Sequence, residues 1–414
     1  MLLRGKEIIV VEKEMERRLD LLTGLYYDVS QEEITRRHNL VREYMEKKDI
    51  SVLLVLASHK EGYRQWLTGV DGTERPSESC FVIPKEGDIL HVVGNKMAEA
   101  DEETGQPEGA LPDAEEAFGG IRTAYQLSAF TIRRMMEDGG EKRLGLIHGE
   151  EIRAGLYDYL KKFLPDVEWV DATEEFAERK AVKSLEEQRL IQEVTRLQEQ
   201  VLEGLCGYLI PGVKEAEAVR YARYLASHLG SGGIDTMEYA QIELLSWKDR
   251  QIPGPLDAPG REMEAGDMVE IKLRIRGNSG FYGFIARRFS FGEPASREKE
   301  IWHKAILLQE MAEEKIKPGK TVAQIEKEIG EEAKKQGISL AEKDFIHGIG
   351  YCVSEGPDRA SGLQHTPLQR GMVLAVEPEV MDERGNKACC GDVYGVTEDG
   401  VQRMSKSERK IKVL

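Results

Sequence analysis

Residues 184–209, SLEEQRLIQEVTRLQEQVLEGLCGYL, carry a helical apolar pattern that Pro211-Gly212 stops. The residues before this helix must find one core and those after it another. The boundary is expected near residue 178, giving domains over 1–178 and 179–414. In the first half, EEITRRHNLVREYMEKK (32–48) has amphipathic helical spacing and SVLLVLA (51–57) reads as a buried strand. CFVIP (80–84), ILHVV (89–93) and RLGLI (143–147) are further strand candidates, with helical segments between them. That alternation favours a mixed α/β domain with helices flanking a sheet. TGQPEGALPDAEEAFGG (104–120) reads as a surface loop.

At 414 residues the chain is long enough for two ordinary domains with real cores. Lys+Arg 58 against Asp+Glu 75 gives a net charge of −17. That balance disfavours non-specific binding to nucleic acid or an anionic membrane, so neither is expected as a partner. MLLRGKEIIVVEKEMERR is too charged for a signal peptide, and no apolar run approaches the ~20 residues that span a bilayer. Cysteines 80, 206, 352, 389 and 390 form an odd, scattered set. They suggest reduced thiols in a cytoplasmic protein rather than a disulfide framework.

The second half holds four blocks in fixed order: GDMVEIKLRIRGNSGFYGFIARRFSFGEP from Gly266, IHGIGYCVSEGP (346–357), GMVLAVEPEV (371–380) and GDVYGVTEDG (391–400). In order and spacing they resemble the creatinase / prolidase / aminopeptidase P family, the pita-bread fold. Residues 184–209, 214–230 and 316–337 resemble its helices, and RRHNLVREYMEKKDISVLLV with the TG of WLTGV resembles its N-terminal domain. The resemblance implies an α+β protein: a mixed α/β N-terminal domain, then a strongly curved antiparallel sheet backed by helices. It also implies a homodimer, since related proteins usually complete the cleft with the partner's N-terminal domain.

The resemblance further implies a dinuclear metal site of five ligands, and here the chain departs from the pattern. Such a site needs several carboxylates and an imidazole converging from separate strands. The two aspartate positions fall on Lys272 and Phe284, and the last glutamate position on Gly391; only His347 and Glu377 remain. A lysine carries donors only, and a phenylalanine nothing a metal can use. No metal and no cofactor is therefore expected.

Four residues are candidates for chemistry: His347, Glu377, Lys272 and Glu355. His347 and Glu377 are either an acid/base pair across an open cleft or a polar leftover. Lys272 either projects into the vacated space, pairing with Glu377 as a substitute cation, or lies in water on an exposed strand, KLRIR. Tyr282, Phe284, Arg287, Tyr351 and Ser354 are candidates for binding substrate, with Trp247 and Lys248 beside them. The same side chains also suit simple packing. Cys389-Cys390 reads more readily as two small buried hydrophobes than as a nucleophile. Gly254 or Pro255 stands at the family's proton-shuttling histidine, Ser354 at its second histidine, and Ala286 where creatinase carries a glutamate.

Three functions remain open. The chain is a metal-independent, creatinase-like hydrolase or lyase acting on a C–N bond of a small amino-acid-like or amidino compound. Alternatively, it binds a peptide or metabolite without catalysis, or it is a residual Xaa-Pro-type metallopeptidase. A small molecule or short peptide is the expected ligand in each case.

Overall fold

The computed structural model describes residues 8–10, 29–56, 62–69, 79–93, 129, 132–133, 135–136, 142–149, 154–231, 240–248, 261–341, 344–383 and 385–414. The loop expected at 104–120 and the Gly254/Pro255 position lie outside them. The described residues fall into two compact units, one ending at Phe176 and one running from Ala177 to Leu414.

The first unit is built on a six-stranded sheet: β1 (Ile8–Val10), β2 (Val52–Leu56), β3 (Ser79–Pro84), β4 (Leu90–Val93), β5 (Arg143–Ile147) and β6 (Glu168–Asp171), in the order β1-β4-β3-β2-β5-β6. β2, β5 and β6 run parallel and the other pairings are antiparallel, so the sheet is mixed. Helices α1 (Gln31–Lys47), α2 (Tyr63–Thr68) and α3 (Ala154–Phe163) accompany it, and α4 (Thr173–Ala181) crosses into the second unit.

The second unit opens with α5 (Leu185–Tyr208), whose start is a complete capping box. Ser184 Oγ accepts from the Glu187 amide at 3.1 Å, and Glu187 Oε2 accepts from the Ser184 amide at 2.7 Å. After Leu209 the chain turns at Gly212, whose φ of 98° suits glycine. α5 and α6 (Glu215–His228) lay Leu197, Val201, Leu205 and Ala222 on Ile271, Leu273 and Ile285. Those residues belong to β8 (Met268–Ile275) and β9 (Ile285–Ser290), which with β7 (Ala240–Trp247) pair antiparallel.

Helices α7 (Ser296–Lys315) and α8 (Val322–Lys335) come next, then β10 (Ser339–Leu340), β11 (Ile346–Gly348), β12 (Val373–Val376), β13 (Glu379–Met381), β14 (Lys387–Cys389), β15 (Asp392–Val396), β16 (Val401–Arg403) and β17 (Lys412–Val413). A second core packs Trp302, Leu308, Ile325 and Ile329 against Leu374, Val376 and Tyr394. The antiparallel surface is laid out as three sheets: β17-β9-β8-β7, β11-β12-β15-β16 and β10-β13-β14. The first two are joined by an antiparallel bridge between Ala286 and Gly391. Among the described strands of this unit, only β17 departs from antiparallel pairing, lying parallel to β9. The bridge sets the site, because it holds the later part of the first block against the start of the fourth.

Candidate active site

Strand alternation puts Lys272 and Arg274 on one face of β8. The register then sets Lys272 between Glu243 of β7 and Ala286 of β9, with Gly391 bridged beyond. On the neighbouring sheet, His347 of β11 pairs with Ala375 of β12, and Glu377 leaves the end of β12. Gln309, buried on α7, fixes that end: its Nε2 donates to Val376 O (2.8 Å) and Cys390 O (2.6 Å), and Tyr394 Oη donates to its Oε1 (2.6 Å). One glutamine thus ties together the residues preceding Glu377 and Gly391.

His347 and Glu377 meet, with Nε2 3.3 Å from Oε1. The other ring nitrogen, Nδ1, lies 2.9 Å from Gly348 O. A ring facing two acceptors can donate to both only when it carries two protons. Glu377 is 8% exposed, and its second oxygen accepts from Arg274 Nη2 at 2.5 Å. Arg274 Nη1 holds Glu243 at 2.8 Å, and the guanidinium lies over the Phe284 ring, 4.8 Å from its centroid.

The expected Lys272–Glu377 pair is therefore corrected. Lys272 Nζ reaches Glu379 Oε1 at 3.3 Å and approaches Glu270 at 4.0 Å, with its side chain 12% exposed. It is neither in water nor on Glu377. Burial opposes its charge, but Cys389, Glu270, Glu379 and Glu243 outweigh burial and raise its pKa above the ordinary lysine value. The cation that reaches Glu377 stands two residues further along the same strand face. Arg274 was missed because the alignment asks only what occupies a ligand position. The available signal was the period-2 pattern of KLRIR, which places Arg274 beside Lys272.

Glu355 also differs from the expectation of a catalytic acid open to substrate. It is buried, with Lys180 Nζ on Oε2 at 2.8 Å and Lys183 Nζ on Oε1. Burial would raise its pKa, yet the two ammoniums overcome it and hold the carboxyl below its usual range. Arg287, expected to line the cleft, is 3% exposed and belongs to the scaffold. Its Nη1 donates to Ala286 O (2.8 Å) and Gly391 O (2.9 Å), and its Nη2 to Asp392 Oδ1 (2.7 Å). Asp392 also accepts from Arg409 Nε at 2.9 Å and from Ser405. Burial works against this carboxylate too, and Arg287 and Arg409 prevail, holding its pKa low.

The remaining candidates are either packed inside or turned to the surface. Phe284, Tyr282 and Tyr351 are buried, and Tyr351 stacks on Phe281 with centroids 4.0 Å apart. Ser354 is exposed and donates to Asp358 Oδ2 at 2.8 Å. Trp247 is buried and donates to Glu298 at 3.3 Å; Lys248 is exposed and donates to Ala265 O at 2.9 Å. Cys389 and Cys390 are both buried, and burial pushes the Cys390 thiol up to about 12.

The donor set does not fit a divalent ion. Among the described residues, no group of three or more His, Cys, Asp or Glu side chains is arranged to hold a metal. At the five matching positions, one imidazole and one carboxylate stand against an ammonium, an aromatic ring and a bare glycine, and the carboxylate already carries a guanidinium.

The order of strands and the motif spacing agree with a match to known families. Residues 189–402 match the model of metallopeptidase family M24, and residues 37–182 that of the creatinase/prolidase N-terminal domain. The chain is a member of family M24. Among its M24 relatives, a creatinase of a Bacillus species is 24% identical over 402 residues, covering 91% of each chain. An Xaa-Pro dipeptidase of Pyrococcus horikoshii is 22% identical over 370 residues, covering 89% of this chain and 96% of that one. The crystal structure of an X-Pro aminopeptidase from Thermotoga maritima superposes with a TM-score of 0.71 at 19% identity, covering 91% of this chain and 99% of that one. At that identity the likeness shows the fold: the two-domain pita-bread architecture. No described helix is long and apolar enough to cross a membrane.

Proposed function

We propose that this M24 protein is a hydrolase or lyase that acts on a C–N bond of a small amino-acid-like or amidino compound without a dinuclear metal centre. The observation that carries the reading is the state of Glu377: one oxygen contacts His347 and the other rests on a protein guanidinium. A carboxylate and an imidazole in contact form an acid/base pair. In hydrolysis, Glu377 would take the proton of the attacking water as its oxygen bonds to carbon. His347 would give its proton to the departing nitrogen as the C–N bond breaks. Lys272 and Glu355 are left out of this assignment because both are committed to internal ion pairs. Within the same reading, the protein is a cytoplasmic homodimer.

One observation favours the second reading, a non-catalytic binding protein: both oxygens of Glu377 already have protein partners. The third, a residual Xaa-Pro metallopeptidase, is supported by relatives of that name and opposed by the donor set. The three separate in one experiment. Protein purified without chelators is analysed for metal and assayed for amine or ammonia release from small amidino and amino-acid-like amides, with and without EDTA. The first reading expects turnover that EDTA leaves unchanged and that Glu377→Gln abolishes. Turnover that appears only with added manganese, cobalt or zinc would overturn it.

A further inference from the structure

We propose that Arg274, Phe284 and Gly391 form one interlocked replacement for a metal centre, in which Arg274 is the resident cation and keeps divalent ions off Glu377 and His347. The proposal rests on the metal-free reading above and assigns it to particular residues.

The first link is steric. A Cβ built on Gly391 would lie 2.3 Å from Phe284 Cε1, 2.6 Å from its Cζ and 3.1 Å from Ala286 Cβ. The Ala286–Gly391 bridge holds the backbones at 286 and 391, so relief would have to come from the Phe284 ring swinging aside. With the ring where it stands, a side chain at 391 would have to displace it. The volume in which a carboxylate at 391 would begin is filled by Phe284.

The second link is the platform. The Arg274 guanidinium lies over the Phe284 ring at 4.8 Å, and the ring is 1% exposed. A cation on the face of a buried aromatic is attracted by the ring's quadrupole, and the flat guanidinium suits that surface better than an ammonium would. The ring therefore sets the height and tilt of Arg274.

The third link is electrostatic. With its two terminal nitrogens on Glu243 (2.8 Å) and Glu377 (2.5 Å), Arg274 is fixed at both ends. A divalent ion approaching Glu377 would have to displace a guanidinium or sit beside it, and like charges at this range repel strongly. Lys272, on the same strand face, adds a second cation. Arg274 is a positioning residue: it orients Glu377 toward His347, the task a bound metal would otherwise perform.

The test is a comparison of Mn²⁺ binding by calorimetry and by metal content after dialysis, with circular dichroism confirming the fold. The wild type is compared with Lys272→Asp/Phe284→Asp/Gly391→Glu, which restores three carboxylates, and with the same triple variant carrying Arg274→Gly. The expected result is no stoichiometric Mn²⁺ in the wild type, and binding in the quadruple variant about tenfold or more tighter than in the triple. Equal binding by triple and quadruple variants overturns the role of Arg274 and leaves the metal-free reading standing. So does a folded quadruple variant that takes no metal. Stoichiometric Mn²⁺ on the wild type overturns both.

Should the multiple variants fail to fold, a double-mutant cycle of Arg274→Met and Glu377→Gln in urea carries the test. A coupling of about tenfold or more in the unfolding constant is expected. Additive single effects overturn the proposal.

Discussion

Phe284, just before β9, and Arg287, within it, stand three residues apart and have met opposite fates. Arg287 looks into a buried network with Asp392, Arg409 and Ser405 that matches the motif residues around it. Phe284 looks into a site whose donors have been exchanged for a guanidinium on a ring. The contrast separates two kinds of motif residue. Those that hold strands together are kept, and they make the family recognisable. Of those at metal-ligand positions, three no longer carry a ligand, while His347 and Glu377 stay. A chain can therefore carry a motif's spelling while the residues at its metal-ligand positions differ.

The comparison breaks first if the scaffold side is not structural. Asp392→Ala strands Arg287 and Arg409 in a buried site and should destabilise the protein by about 3–5 kcal/mol in urea unfolding. A change below about 1 kcal/mol would show that the network is not what preserves the fold.

Acid is the next lever. Asp392 and Glu355 both have folded-state pKa values below their ordinary ones. Their stabilisation is present above the ordinary carboxylate range and is lost as pH falls through the depressed folded values. The wild type should hold its melting temperature from neutral pH down to the ordinary carboxylate range and lose it below. Lys183→Met removes one ammonium from Glu355 and raises its pKa toward the ordinary value, so it should lower stability at neutral pH and shrink the part that acid removes. An unchanged acid profile would show that the two lysines do not govern Glu355.

On the rebuilt side, Arg274→Met should cost about 2–3 kcal/mol, through loss of a charged hydrogen bond and an aromatic contact together. Lys272→Met should cost less, about 1 kcal/mol, because Glu379 keeps a second ammonium, Lys387, at 2.9 Å. If Lys272→Met is the more damaging, Lys272 and not Arg274 is the dominant cation of the site. The smallest effect concerns chelation: on the proposed metal-free reading, EDTA should leave the melting temperature unchanged to within about 1 °C, because that reading has no metal-linked stabilisation to remove.

Much of the fold could be read from the chain because its signals are local. Ser184 and Glu187 spell a cap, KLRIR alternates, and the four blocks lie in order. The site was legible only in part. His347 and Glu377 stand where the blocks put them. The Lys272–Glu377 pairing did not follow from position, because a long side chain is placed by the carboxylates within its reach, and Glu379 and Glu270 lie closer. The fit of Phe284 against Gly391 joins residues far apart in sequence, and no pattern in either block announces it. Glu355 reads as a motif acid until its two lysines, from the stretch before α5, are seen around it.

The clash at Gly391 also couples two distant positions in sequence. A side chain at 391 and the ring in its present place compete for the same space, so the two positions are coupled. Once the ring was in place, a lone return to a carboxylate at 391 would meet an aromatic 2.3 Å from its first carbon. Removing the ring alone would leave Arg274 over a void. A change at either position therefore calls for a change at the other, and homologues with an aromatic at 284 should carry a glycine at 391.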